Sequence, residues 1–321
     1  MLVMPGAAVG LPLSSVEAQA YERPFDTSNG QVNTGLSAVA CAYVRARNAD
    51  PMCSFGDFVA ISDIVDECTA KVLKTEVCDG IIAPGYDEAA LSILRAKKKG
   101  AFIILQGNVE FQPPRNEFRE VMGVGFYQRR NDALFSADLH LQRVVTAGRE
   151  MLPASALRDL TVASIAVKYT QSNSVGYAVN GQMVGVGAGQ QSRVDCVKLA
   201  ARKVSTWFLR QHPKANGSLC RVRYIEGDIE GAEMTTWSQH FETVPPFLSV
   251  DEKNSFLRSL RGVSLSSDAF FPFRDSIDHA TKVGVEFVAQ PGGSMADAEV
   301  IAACEEYGVQ MAFTDLRLFH H

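Results

Sequence analysis

One pattern of apolar and polar positions occurs twice along the chain. Gly80-Ile81-Ile82-Ala83 is a short apolar run stopped by Pro84-Gly85. Asp87 and Glu88 then suit the positive end of a helix dipole. Ala90, Leu91 and Leu94 recur at helical spacing. Lys97, Lys98 and Lys99 crowd the negative end, Gly100 stops the helix, and Ala101–Leu105 predicts the next strand. In the second copy, Val285–Ala289 predicts a strand and Pro291-Gly292-Gly293 a loop. Ser294 and Asp297 have capping-box spacing, with Asp in place of Glu. Ala298, Ile301 and Ala302 supply an apolar face, Gly308 stops the helix, and Val309–Thr314 predicts a strand. Two βαβ-like copies about 200 residues apart imply a duplicated α/β arrangement, not a solenoid.

Between the copies, Asn180-Gly181 separates Val175–Val179 from Gln182–Val186, a strong hairpin signal. The glycine-rich stretch 185–189 follows, and then a helix with Ser192 as its N-cap. Val194, Val197, Ala201, Val204 and Phe208 define its expected apolar face, and Pro213, Asn216 and Gly217 its end. Residues 22–35, 107–115 and 213–218 read as irregular connections, with a domain boundary near 110–115.

Composition narrows the class. The 321 residues are 46% hydrophobic and 21% charged, which excludes disordered, collagen-like and coiled-coil chains and suits about two domains. A net charge of −5 argues against wholesale nucleic-acid binding. No apolar run approaches the ~18 residues of a membrane span, and the apolar start lacks the parts of a signal peptide. Seven cysteines without C-x-x-C spacing read as buried, reduced thiols of a cytoplasmic protein, and neither a disulfide framework nor a zinc finger.

Several clusters admit a chemical reading beside a purely structural one. Gly187-Ala188-Gly189 before a helix start either cradles an anion on backbone N–H groups or makes a tight turn. Arg193 sits where a helix dipole disfavours a cation, so either a ligand or a nearby carboxylate holds it. In the stretch 168–174, Asn173 offers a donor and an acceptor for an amide or base edge. Thr170, Ser172 and Ser174 there could line a cation site, or simply cap a helix and make a turn. Residues 266–275 combine aromatics with charges, either stacking a flat heterocycle or filling a core. Arg317, followed by His320 and His321, either binds phosphate or belongs to a frayed tail. Pro-Cys-x-x-Cys, and with it the paired zinc-deaminase signature of His-x-Glu and Pro-Cys-x-x-Cys, is missing from the sequence, as is Gly-x-Ser-x-Gly.

Taken together, Ser54-Phe55-Gly56-Asp57-Phe58, Asp79–Tyr86, Lys168–Ser174, Gly187–Arg193, Ser267–Asp275 and Arg317–His321 resemble the AICAR transformylase region of the AICAR transformylase/IMP cyclohydrolase family. The resemblance runs from about residue 36 to the C-terminus and is sparse over 107–150. It implies an α/β fold of two cytidine-deaminase-like subdomains without zinc, here residues 1–115, shortened at their start, and 116–321. It implies formyl transfer from 10-formyltetrahydrofolate to the 5-amino group of AICAR in IMP biosynthesis, by a homodimer with shared active sites. Carried over position by position, Gly56 and Asp79 would meet the AICAR ribose. Asn173, Arg193 and Phe270 would surround its base and carboxamide, and Arg317 would hold its phosphate. Val194, Asp275, Ser294 and Met295 would lie on the folate side, and a potassium site would fall near Thr170, Ser172, Ser174 and Asp268. No nucleic-acid or membrane partner is implied.

The departures from the family pattern set further expectations. The preceding cyclohydrolase domain and the Arg-Tyr-Gly-Met-Asn-Pro-His-Gln stretch are missing from the sequence. The family's Lys-His-x-x-Pro-x-Gly-Ala-Ala-Val-Gly is met only by Met1-Leu2-Val3-Met4-Pro5 before Gly6–Gly10. In the resemblance, that His assists deprotonation of the amine and that Lys stabilises the transition state. The catalytic base is therefore unassigned, and impaired turnover is the expectation. The alternative is a non-catalytic protein that binds purine nucleotide or folate, or a regulatory subunit.

Overall fold

The computed structural model describes residues 6–148, 151–214, 232–239, 244 and 246–319. Calls on Met1–Pro5, Cys220, His240, His320 and His321, and most of the 213–218 loop, therefore lie outside the described residues.

The first half builds a parallel sheet in the order β1 (Asp57–Ala60), β2 (Cys78–Ala83), β3 (Ile103–Gln106). Around it lie α1 (Ser15–Ala20), α2 (Ala38–Asn48), α3 (Glu67–Thr75) and α4 (Glu88–Ala96). Their core gathers residues such as Val44, Val59, Leu73, Ile81 and Leu94. A hairpin of β4 (Asn116–Val121) and β5 (Val124–Arg129) stands apart with Phe118, Phe126 and Tyr127 exposed. The sequence pattern gave no sign of it, because its residues are apolar on neither face consistently.

The second half holds a six-stranded sheet. Its strands in chain order are β6 (Arg143–Val144), β7 (Ser174–Val179), β8 (Gln182–Ala188), β9 (Val263–Ser267), β10 (Val285–Gln290) and β11 (Gln310–Phe313). Across the sheet they run β6-β11-β10-β9-β7-β8. β9, β10 and β11 are mutually parallel, and β7 joins β9 and β8 antiparallel. The helices are α5 (Ala137–His140), α6 (Ala154–Lys168), α7 (Arg193–Leu209), α8 (Ala232–Ser238), α9 (Val250–Arg258), α10 (Asp275–Ala280) and α11 (Asp297–Tyr307). No helix among the described residues is long and apolar enough to cross a membrane. Cys41, Cys53, Cys68, Cys78, Cys196 and Cys304 are free.

Both βαβ copies and the hairpin form where the pattern put them. Asn180 and Gly181 both take positive φ, 53° and 72°, as a two-residue hairpin turn requires. Three local expectations are corrected. Lys97 does not serve the end of α4: it is buried, and its ammonium donates to Glu76 O at 2.6 Å, beyond the end of α3. The buried stripe of α7 is rotated toward Arg193, Cys196, Val197, Ala200, Val204 and Trp207, leaving Val194, Ala201 and Phe208 half-buried. Ser294 does not cap α11; the N-cap is Ala296, and the Asp297 carboxylate instead accepts from the N–H groups of Gly293 (2.8 Å) and Ser294 (3.1 Å).

The two halves are joined by buried polar contacts. Arg45, fully buried, pairs with Glu17 at 3.3 Å and donates to Val9 O at 3.1 Å and Asn180 O at 2.5 Å. Gln182 donates to Arg45 O at 2.7 Å and shares the Tyr21 hydroxyl with the indole N–H of Trp207, which donates at 3.1 Å. Arg210, 2% exposed, donates to Asn48 O and Oδ1 and to Ala20 O. Burial with the nearby Glu17 carboxylate pushes the Tyr21 hydroxyl up to about 12, against the opposing pull of Gln182 and Arg210.

Two outcomes follow. Arg45→Ala strands Glu17 and two carbonyls, and is expected to cost about 3–5 kcal/mol in urea unfolding. Tyr21 stays protonated in the fold to higher pH than in the unfolded chain. Its contribution is complete below about pH 10 and is lost as pH rises toward 12, worth about 2–3 kcal/mol. Tyr43 and Tyr177, also pushed up by burial, add slope of the same sign. The comparison is therefore with Tyr21→Phe, whose stability should fall less steeply over that window.

Candidate functional site

The site grows from one edge of the six-stranded sheet. β7 begins at that edge and β8, β9, β10 and β11 end there, as the registers require. Segments leaving these strands therefore gather Asn173 and Ser174, the loop to Arg193, Asp268–Phe270, Pro291–Met295 and Asp315–Arg317. The carboxyl ends of strands in open α/β sheets are where ligands commonly bind.

Arg193 is the hub. It is the first residue of α7, 7% exposed, and its guanidinium pairs with Asp268, which is 0% exposed. Nη1 also donates to Ser174 O at 3.0 Å, and Nη2 to Asn173 Oδ1 at 2.9 Å. Asp268 Oδ2 accepts from Ser174 N at 3.1 Å and Ser174 Oγ at 3.0 Å. The dipole penalty on Arg193 is thus offset by a carboxylate. Asn173 is fixed from its other end, its Nδ2 donating to Gln190 O at 3.0 Å. The Cys196 thiol donates to Asn173 O at 3.0 Å, and burial pushes its pKa up, keeping it a donor.

The glycine-rich stretch resolves toward packing. A Cβ on Gly185 would lie 2.5 Å from Ala200 O, and one on Gly187 2.1 Å from Cys196 O. These glycines let α7 lie close on β8, while Gly189 turns the chain at φ +65°. Phe271 is core, Phe270 is half-buried and Phe273 is exposed.

The remaining candidates divide by location. Arg317 is exposed, and the neighbouring Leu318 donates its N–H to Asp268 O at 2.9 Å. Asn131 donates to the carbonyls of Arg317 and Phe319, a contact without a sequence signal because it joins positions 186 residues or more apart. Val194 is the second residue of α7, Asp275 opens α10, and Ser294 and fully exposed Met295 follow β10. Gly56 and Asp79 lie elsewhere, at the amino end of the first sheet. Gly56 has φ +78° and donates to Val77 O, and Asp79 pairs with Lys98 at 2.5 Å. Lys168, 4% exposed, donates to Ala133 O, and burial pulls its pKa down.

The hydroxyls near Thr170 are engaged as donors within the chain. Thr170 Oγ1 donates to Ala166 O at 2.7 Å, Ser174 Oγ donates to Asp268, and the guanidinium of Arg193 already faces that carboxylate. No step below passes through a potassium ion. Among the described residues, no three or more His, Cys, Asp or Glu side chains form a metal-binding group.

The fold and edge define an α/β protein with a polar sheet edge built around a buried arginine that is paired with a carboxylate and an amide. A family model described as the AICARFT/IMPCHase bienzyme matches residues 28–203, and the chain belongs to that family. The bifunctional purine biosynthesis protein PurH of Aquifex aeolicus (strain VF5) is 36% identical over 285 residues, covering 89% of this chain and 45% of that protein. The chain therefore spans about half the length of the curated relative it matches.

The packing of α7 on β8 is directly testable. Gly187→Ala forces the helix off the strand and is expected to lower stability by about 1–3 kcal/mol. Gly189→Asn, at a left-handed position that Asn tolerates, should cost less. Urea midpoints of the two variants check the order.

Proposed function

We propose that the chain carries AICAR formyltransferase chemistry in purine biosynthesis, taking 10-formyltetrahydrofolate as co-substrate. The observation that carries this reading is the Asn173–Arg193–Asp268 cluster at the carboxyl edge, in a chain of this family. The resemblance implies Asn173, Arg193 and Phe270 around the base and carboxamide of AICAR, and the cluster supports that role. Asn173 Nδ2 and Oδ1 are oriented by Gln190 and Arg193, and a fixed amide discriminates between donor and acceptor edges. Exposed Arg317, on the segment that meets Asp268, suits an anionic phosphate. Val194, Asp275, Ser294 and Met295, around the start of α7, α10 and the end of β10, form the proposed folate side. The potassium site of the resemblance gains no support from the side chains near Thr170.

Gly56 and Asp79 are read as meeting the ribose from a second subunit. No hydrogen bond or ion pair among the described residues links them to the Arg193 cluster. A homodimer with shared sites, in a soluble cytoplasmic setting, is the arrangement proposed. The division into residues 1–115 and 116–321 as two cytidine-deaminase-like units without zinc belongs to the same reading.

In the reaction, the 5-amino nitrogen bonds to the formyl carbon. The bond from that carbon to N10 of the folate breaks, and a proton moves from the amine to N10. The amine is conjugated with the ring and carboxamide, so it is a poor nucleophile. Holding the carboxamide in plane fixes the amine for attack. A general base, typically worth about 10²–10⁴-fold, is not assigned to a described residue.

Calorimetric titration with AICAR, followed by formyl transfer with both substrates saturating, tests the reading. Asn173→Ala should weaken AICAR binding about tenfold, the cost of one neutral hydrogen bond. Absence of AICAR binding, or identical binding by the variant, would overturn the assignment. Binding without turnover would favour the non-catalytic nucleotide-binding alternative.

A further inference from the structure

Among the described cysteines Cys53 alone is exposed, against the sequence reading of all seven as buried. It lies in the turn 51–56 that follows α2. Local hydrogen bonds fix that turn. Cys53 donates its N–H to Asp50 Oδ1 at 3.1 Å, Ser54 its N–H to Asp50 O at 3.0 Å, and Ser54 Oγ donates to Arg47 O at 3.0 Å.

Lys203 reaches the same turn from α7, in the other half of the molecule and 150 positions along the chain. Its ammonium pairs with Asp50 Oδ2 and donates to Cys53 Sγ at 3.2 Å. The Lys203 and Asp50 side chains are 18% and 13% exposed, so the amine is held in place while the sulfur stays open to solvent. The thiol in turn hydrogen-bonds the Asp50 carboxylate. The Lys203–Asp50 pair would join the halves by itself, and a thiol sulfur is a weak acceptor that adds little to it. Burial, and then Asp50, push the Cys53 thiol up against the pull of Lys203. Burial alone would pull the Lys203 ammonium down, but Asp50 outweighs it and the pKa is raised. The resting pair is thus thiol and ammonium, which do not react with each other until an oxidant arrives.

We propose that Cys53 and Lys203 are an oxidation-dependent modification site, at which a peroxide converts the thiol to a sulfenic acid and the lysine amine condenses with it into a covalent S–N bond between the two halves. In the first step the sulfur bonds to one peroxide oxygen and the O–O bond breaks. The sulfur is oxidised by two electrons and the peroxide reduced. Asp50 takes the thiol proton, and the Lys203 ammonium protonates the departing oxygen. That transfer leaves Lys203 as a neutral amine beside an electrophilic sulfur. In the second step the nitrogen lone pair bonds to Sγ and the S–O bond breaks. The hydroxide leaves as water with the proton held by Asp50, and the nitrogen sheds one proton to solvent. Sulfenic acids condense with nitrogen in this way to give sulfenamides, and thiol reductants reopen them.

The full chain, folded or in urea, is treated with hydrogen peroxide, digested without reductant and read by mass spectrometry. From the folded chain, the peptides holding Cys53 and Lys203 should run as one species, two hydrogens lighter than their sum. Dithiothreitol should separate them. In urea the joined species should be lost, because only the fold brings the two positions together. Lys203→Arg keeps a cation for Asp50 but removes the nucleophilic amine. That variant should lose the joined species, and dimedone should trap its Cys53 as the sulfenic acid. Four results would overturn the proposal: oxidised Cys53 with no bond to Lys203; a joined species that retains an oxygen, which would mean no condensation; equal yield in urea; or dimedone labelling of Cys53 that is the same in the parent chain and in Lys203→Arg.

Discussion

The ion pair between Arg193 and Asp268 is the constraint around which the second half is arranged. A guanidinium at a helix start and a carboxylate at a strand end are both removed from water, and each would be costly there alone. Bringing them together requires α7 to begin where β9 ends. That requires the tight β8–α7 approach that Gly185 and Gly187 permit. Ser174 then supplies donors to the carboxylate and an acceptor to the guanidinium. The amide of Asn173 is oriented as a by-product of the same geometry.

Legibility from sequence followed the range of the interactions. The βαβ copies, the Asn180-Gly181 hairpin and the Ser192 cap depend on neighbours a few residues apart, and each could be read directly. Arg193 as a residue awaiting a partner was also visible, because a cation at a helix start is locally anomalous. Its partner, 75 positions away, was not selected by any local signal. Lys97 misled for the complementary reason: at the end of α4 it fits a dipole argument, but tertiary burial sends its ammonium toward the end of α3. The glycines of β8 illustrate a third case. Their composition suited an anion cradle equally well, and only the position of α7 decides between turn, cradle and close packing.

The separation of Gly56 and Asp79 from the Arg193 edge gives the family match its physical interest. Residues of one resemblance fall on opposite kinds of sheet end, one at strand starts and the other at strand finishes. A single copy of the chain does not bring them into bonded contact among its described residues.

The Tyr21 hydroxyl has a further consequence as an optical junction. It accepts from the indole of Trp207, one of two tryptophans in the chain, and so couples a chromophore on α7 to the end of α1 in the other half. Indole emission responds to the hydrogen bond at its nitrogen and to entry of water. Intrinsic fluorescence of Trp207, with Trp237 silenced by substitution, would therefore register slippage between the halves before either loses its secondary structure. The molecule carries its own strain gauge at the joint.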